Sequence, residues 1–176
     1  MIYIVEGMDL AGKSTIAKLL AEKMGFALLE SDRQFTKVDF EHDPAAWENV
    51  MCGDFEANLP IFAAFDRFVK VRFHLSQEAY SLFFNRKTSI KFDQVDQFLV
   101  SLGKEMSLIY LQLPYEIYKE RLSVRGDHRP LTKVEFYAQS IHFLSVFFRS
   151  EIRQKIIVDG SKPTNEILTF LENEGF

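Results

Sequence analysis

An α/β fold with a parallel sheet is the fold class predicted, and three observations predict it. Short β-rich apolar runs alternate with longer stretches of helical spacing, the pattern of a sheet with helices on both faces. Ile2–Val5 and Ile156–Val158 are uninterrupted apolar runs, as strands buried on both sides require. The chain has 176 residues, 47% hydrophobic and 26% charged, which is ordinary globular usage with enough length for one full core. No linker, internal repeat or low-complexity tract divides it, so residues 1–176 read as a single domain.

The strands expected are Ile2–Glu6, Phe26–Glu30, Ile61–Asp66, Leu108–Leu113 and Lys155–Asp159. The first helix begins at Lys13, with Ile16, Leu19, Leu20 and Met24 on one side, and stops at Gly25, a residue suited to a left-handed C-cap. The stretch Ser31–Leu59 is acidic and mixed, with Asp39, Glu41, Asp43 and Glu48. Only a short helix from Asp43-Pro44 through Met51 is legible there, and Trp47 reads as packing. Arg67–Lys104 holds two helices with a break near Asn85–Ser89. Pro114 opens the next helix, carrying Ile117, Arg121 and Val124. The longest spans Thr132–Ser150, where Val134, Tyr137, Ile141, Leu144 and Phe148 repeat at 3-4-3-4 spacing. Pro163-Thr164 starts the last, with Ile167, Leu168 and Leu171. The 18 phenylalanines read as bulky core, with one or two available for base stacking.

Composition excludes several classes of function. A net charge of -4 gives no bulk attraction to nucleic acid or anionic membrane. The single cysteine, Cys52, forbids an internal disulfide, so a reduced, cytoplasmic setting is expected. No apolar run approaches the roughly 18 residues of a membrane span, and Met1–Val5 lacks the basic start of a secretory leader. The four histidines show no metal-ligand spacing and no paired nucleophile.

Gly7-Met8-Asp9-Leu10-Ala11-Gly12-Lys13-Ser14 fits G-x-x-x-x-G-K-[ST] between a strand and a helix. The glycines let backbone N–H groups converge on phosphates, and the helix start adds partial positive charge. Lys13 is a point charge for the outer phosphates, and Ser14 offers its hydroxyl to Mg²⁺. Nucleoside triphosphate binding follows, with ATP and Mg²⁺ as the expected pair. The motif is shared by GTPases, ATPases and small-molecule kinases. The short chain and the lack of a guanine-reading [NT]-K-x-D favour a small kinase.

Glu6-Gly7-Met8-Asp9-Leu10-Ala11-Gly12-Lys13-Ser14-Thr15 resembles the opening of thymidylate kinases, E-G-x-D-x-A-G-K-S-T. Phe65-Asp66-Arg67-Phe68 looks like the family's D-R-Y/F at the end of a central strand. Arg121–Arg129 resembles its arginine-bearing lid, here placed around residues 121–132, and Val158–Pro163 its adenine-contacting loop. The resemblance implies a three-layer P-loop fold with a five-stranded parallel sheet of order 2-3-1-4-5. It implies ATP contacts along Gly7, Asp9, Leu10, Ala11, Gly12, Lys13, Ser14 and Thr15, and at Arg121, Gly160, Ser161 and Lys162. Asp9 would also meet the acceptor's sugar hydroxyl. Leu10 stands where some thymidylate kinases carry a catalytic arginine, which moves that role to Arg125 and Arg129 in the lid.

One departure leaves two readings. The family has about twice as many residues between its second and third strands. Phe62–Arg67 can instead be its F-A-A-D-R helix, making Val69–Phe73 the strand. The strand Ile61–Asp66 is preferred, because Pro60 starts the run naturally and no turn signal separates Arg67 from Val69. Ser76–Tyr80 also resembles the family's S-x-x-A-Y, about five residues too far from Asp66-Arg67.

On the preferred reading Asp66 holds the Mg²⁺ shell or the substrate, and Arg67 grips the acceptor phosphate. Arg33, after the second strand, also reaches the acceptor, and Arg72 takes that place under the other reading. The function expected is phosphoryl transfer from ATP to a thymidylate-like nucleoside monophosphate. Two alternatives stay open: a deoxynucleoside kinase with Glu30 or Asp32 as base, and a non-catalytic ATP-binding module. The partner expected is this small acceptor, with neither membrane nor nucleic acid, and the helix Thr132–Ser150 offers a surface for a homodimer.

Overall fold

A computed structural model describes residues 1–30, 44–125 and 130–176. The strands are β1 (Ile2–Gly7), β2 (Ala27–Leu29), β3 (Phe68–Val71), β4 (Met106–Gln112) and β5 (Gln154–Asp159). The helices are α1 (Lys13–Met24), α2 (Pro44–Ala64), α3 (His74–Phe83), α4 (Phe92–Ser101), α5 (Tyr115–Arg125), α6 (Lys133–Arg149) and α7 (Thr164–Asn173). All strands are parallel, in the order β2-β3-β1-β4-β5, with helices on both faces, as the sequence predicts. Register aligns the carboxyl ends. Gly7 of β1 faces Leu111, Val5 faces Val71, and Gln112 faces Asp159. The turns after β1, β3 and β5 therefore open on one edge of the sheet.

Local chemistry sets most boundaries. Gly25 ends α1 at φ 64°, the left-handed cap its lack of a Cβ permits. Thr132 starts α6 through a reciprocal capping box with Glu135. The apolar strands β1 and β4 are buried almost throughout, and buried phenylalanines such as Phe62, Phe73 and Phe143 pack between sheet and helices. Phe62 stacks on Phe73 at 4.7 Å and meets Phe68 edge-on at 5.0 Å, while Tyr110 lies 6.0 Å from Phe143. No helix among the described residues is long and apolar enough to cross a membrane.

The third strand is a correction. Ile61–Asp66 is not a strand; α2 runs through Pro60 to Ala64, well past the expected stop at Met51, and β3 begins at Phe68. The reason is a buried stripe, Met51, Phe55, Asn58 and Phe62, whose 4-3-4 spacing is helical and whose rings pack on Phe68 and Phe73. Burying that face outweighs the cost of one proline inside the helix. In α6 the buried side is Phe136, Gln139, Phe143, Val146 and Phe147. The regular 3-4-3-4 stripe points the other way.

Candidate active site

Gly7, Gly12 and Lys13 build the phosphate cradle where β1 meets α1. At Gly7, φ is +143°, and a Cβ would lie 2.6 Å from the Leu111 carbonyl oxygen, so only glycine fits. Gly12 is the N-cap of α1 at φ 90° and supplies no side-chain cap. The first N–H donors of α1 are thus left for an anion, with the helix dipole behind them. Ser14 and Thr15 are exposed on this first turn.

Lys13 is buried, and its ammonium donates to the Met8 carbonyl of its own loop. Burial lowers its pKa to about 7, Arg72 and Arg125 push the same way, and Asp9 and Glu6 oppose them. The field around this amine is thus short of negative charge, the condition a triphosphate satisfies.

Arg121, on α5, braces the cradle from the other side. It donates to the Leu10 carbonyl at 2.9 Å and to the Gly160 carbonyl at 2.8 Å, tying the loop to the turn after β5. Gly160 fits tightly there: a Cβ would stand 3.0 Å from the Gln112 oxygen and 3.1 Å from the Ala11 oxygen. Ser161 is held by Asp159 through its N–H at 2.9 Å, and Lys162 is exposed beside it. Arg125 is the exposed last residue of α5. Leu131, just before α6, donates its N–H to the Tyr118 hydroxyl of α5 at 3.0 Å.

The third wall is the turn after β3. Arg72 takes φ +57°, rare for a residue with a side chain, and its N–H donates to Val5 at 3.0 Å. Its guanidinium pairs with Asp9 of the loop, donates to the Tyr80 hydroxyl at 3.3 Å and lies over that ring. Burial works against its charge, but Tyr80 and Asp9 outweigh burial and hold Arg72 protonated. Burial pushes the Tyr80 hydroxyl well above its ordinary pKa, despite the nearby guanidinium. Glu6 fixes the turn from below. This buried carboxylate accepts from the Phe73 N–H at 2.9 Å and from the Ser76 hydroxyl, capping α3 from another strand.

The sequence is matched by no family model and by no curated protein. Solved structures match in fold. The YorR protein of Bacillus subtilis, in complex with phosphorylated GDP, has a TM-score of 0.71 at 21% identity, covering 100% of this chain and 99% of its own. Deoxyadenosine kinase from M. mycoides, with the products dCMP and dCDP bound, has a TM-score of 0.68 at 13% identity, covering 99% and 98%. Thymidylate kinase from Candida albicans has a TM-score of 0.60 at 15% identity, covering 98% and 91%. The chain has the P-loop nucleotide kinase fold.

Within this P-loop kinase fold, two expected site residues are displaced. Asp66 and Arg67 precede β3 rather than follow a strand. Phe68 pairs with Ile2, so both lie level with Met1, at the opposite end of β1 from Gly7. Six residues of strand separate the two ends, about 20 Å. Asp66 pairs there with Lys104 at 2.8 Å, and Arg67 lies over Phe26. The catalytic and metal roles given to Asp66 and the acceptor role given to Arg67 do not carry over. Arg33, Asp32 and Arg129 lie outside the described residues.

Sequence reasoning assigned no role to Glu6, Ser76 or Tyr80. The spacing of Ser76–Tyr80 was the available signal, because it is four residues from Arg72 that Ser76 begins. For Mg²⁺ the fit is partial. Ser14 offers an exposed hydroxyl at the cradle, whereas Glu6 and Asp9 are engaged by Ser76 and Arg72. No group of three or more His, Cys, Asp or Glu able to hold a metal occurs among the described residues. This donor set suits an ion held largely by a nucleotide's own phosphates and water.

Proposed function

We propose that the protein transfers the γ-phosphoryl group of ATP to a deoxynucleoside monophosphate of the thymidylate-like pyrimidine class. The observation that carries this reading is the position of Arg72. A fully charged guanidinium, fixed by Asp9 and Tyr80, stands at the edge of the phosphate cradle opposite the Arg121 brace. Its planar fork suits an acceptor that already bears a phosphate. An oxygen of that phosphate attacks the γ-phosphorus, the bond to the β–γ bridging oxygen breaks, and ADP leaves. Lys13 and the α1 N-terminus hold the charge that develops on the phosphoryl oxygens, and Arg125 adds to it from the lid side. Ser14 would hold a Mg²⁺ ion through its hydroxyl, and that ion would supply further neutralisation of phosphate charge. Asp9 contributes by orienting Arg72 at the acceptor.

The YorR structure holds phosphorylated GDP, whereas the deoxyadenosine kinase structure holds dCMP as a product, which is what phosphorylating a nucleoside yields, so these neighbours support nucleotide-type ligands without choosing between the two acceptors. A nucleoside acceptor is the second reading, favoured by Glu30, which lies exposed just past the carboxyl end of β2 where a base for a 5′-hydroxyl would sit. An ATP-consumption assay against all nucleosides and their monophosphates separates the two. The expected result is turnover with a pyrimidine deoxynucleoside monophosphate and little with any nucleoside. Turnover confined to nucleosides refutes the proposal in favour of the second reading. No turnover with any acceptor refutes both and leaves a nucleotide-binding module.

A further inference from the structure

A lysine lies buried inside the sheet, and nothing in the reaction uses it. Lys70 is the third residue of β3 and 1% exposed. It pairs with Ile4, so it shares a sheet face with Glu6, two residues further along β1. Phe68, two residues back on the same face, meets Phe62 of α2, so Lys70 lies between the sheet and that helix. Burial lowers its pKa, and the two groups that oppose the shift are Asp54 of α2 and Glu6. A buried ammonium is costly, and an apolar side chain of similar volume often serves stability as well or better. The charge therefore needs a use.

Glu6 supplies one. This carboxylate, itself 1% exposed, accepts from the Phe73 N–H at 2.9 Å, from the Ser76 N–H at 3.4 Å and from the Ser76 hydroxyl. Phe73 follows Arg72, and Arg72 stands at φ +57°, a conformation that a residue with a side chain holds only where its surroundings impose it. The restraint comes from both sides. Val5 accepts the N–H of Arg72 at 3.0 Å, and Glu6 accepts the next one. The Glu6 end of this clamp is a buried negative charge, and Lys70 is the buried positive charge on the neighbouring strand. Adjacent strands lie about 4.8 Å apart and two residues span about 6.6 Å, so the ammonium is within electrostatic reach of the carboxylate.

We propose that Lys70 is a positioning residue for the acceptor site: acting through Glu6, its buried charge holds the turn in which Arg72 keeps its left-handed conformation at the edge of the cradle. The inference rests on the reading of Arg72 as the group that takes the acceptor phosphate. Lys70 itself touches no substrate. Its removal leaves Glu6 and Asp54 facing no cation in β3, weakens the hold on the Phe73 N–H and lets Arg72 relax toward an ordinary φ. The guanidinium then shifts, and a misplacement of about 1 Å can cost as much as 100-fold. A lysine that only fills space makes a different demand, because its loss would weaken the fold as a whole and leave the choice of acceptor alone.

Calorimetry on the full chain tests the proposal, with thymidine, thymidine monophosphate and ATP as ligands. The quantity read is the ratio of the two acceptor dissociation constants, and Arg72→Ala sets its scale. Lys70→Met is expected to cut the preference for the monophosphate by about 10- to 100-fold, with Kd for ATP within about twofold of wild type. Lys70→Arg keeps the charge and should recover most of the preference. Glu6→Gln should lower it as far as Lys70→Met does, and the double variant no further, because the two residues act as one unit. Glu6→Gln also decides the matter if Lys70→Met misfolds. Additive losses in the double variant overturn this inference alone. So does an unchanged ratio in Lys70→Met and Glu6→Gln beside a collapsed one in Arg72→Ala. An unchanged ratio in Arg72→Ala, or a wild type with no preference for the monophosphate, overturns the reading of Arg72 and this inference with it.

Discussion

Replacing Arg72 should erase the preference for a phosphorylated acceptor, and replacing Arg67 should not. The two arginines are five residues apart, yet β3 carries the chain from one end of the sheet to the other between them. A charged hydrogen bond contributes about 1.5–3 kcal/mol. At 1.4 kcal/mol per tenfold, Arg72→Ala should cut the ratio of kcat/KM for monophosphate over nucleoside by about 10- to 150-fold. Arg72→Lys should recover only part, because an ammonium keeps the charge and loses the fork. Arg67→Ala removes a contact with the Phe26 ring and should leave the ratio unchanged. The assay is steady-state turnover with thymidine, deoxycytidine and their monophosphates, with thermal unfolding run on each variant to confirm the fold. If Arg72→Ala leaves the ratio intact, the acceptor is not held by its phosphate at this turn. If Arg67→Ala changes it as much as Arg72→Ala, the distance argument fails.

Four further outcomes are expected. Lys13, with its pKa lowered to about 7, is roughly nine-tenths neutral at pH 8 in the free protein and charged once phosphates surround it, so ATP binding at pH 8 should take up close to one proton. Calorimetry in two buffers of different ionisation enthalpy reads this directly, and a buffer-independent enthalpy contradicts it. The same depressed value means that unfolding binds a proton between about pH 7 and the ordinary 10.5, so this group adds to stability as pH rises through that window. Arg121→Ala removes both ties between the loop and the turn at Gly160. It should lower Tm, by about 3 °C per kcal/mol lost at this size, and raise KM for ATP. Arg125→Ala, at an exposed helix end, should instead lower kcat with ATP affinity in the open state little changed. Equal effects of the two would remove the distinction between brace and lid.

What was legible in the sequence was what is local. The cradle is one contiguous segment whose glycines, lysine and serine act through backbone geometry fixed within eight residues, and the strand and helix beside it carry their own periodicity. Capping of α1 by Gly25 and of α6 by Thr132 is equally local. The wall at the turn after β3 is different. Whether Arg67 or Arg72 meets the cradle depends on where a four-residue strand begins, and that strand has a buried lysine, Lys70, in its middle. The lysine interrupts the apolar run by which a central strand is recognised, while Ile61–Phe65 offers a better apolar run, of which Ile61–Ala64 folds as the end of α2. The deciding term is non-local: Met51, Phe55 and Phe62 must pack on Phe68 and Phe73 across the turn. A helical stripe of that spacing is present in the sequence, and weighing it against Pro60 would have extended α2. Lys70 itself is accommodated by charge. Burial lowers its pKa, and Asp54 of α2 and Glu6 of β1 oppose the shift. Glu6, which caps the turn holding Arg72, thus also faces the residue that hides β3 from a sequence reading. The acidic side chain beside the cradle glycine links the legible half of the site to the illegible one, and only three-dimensional packing shows that link.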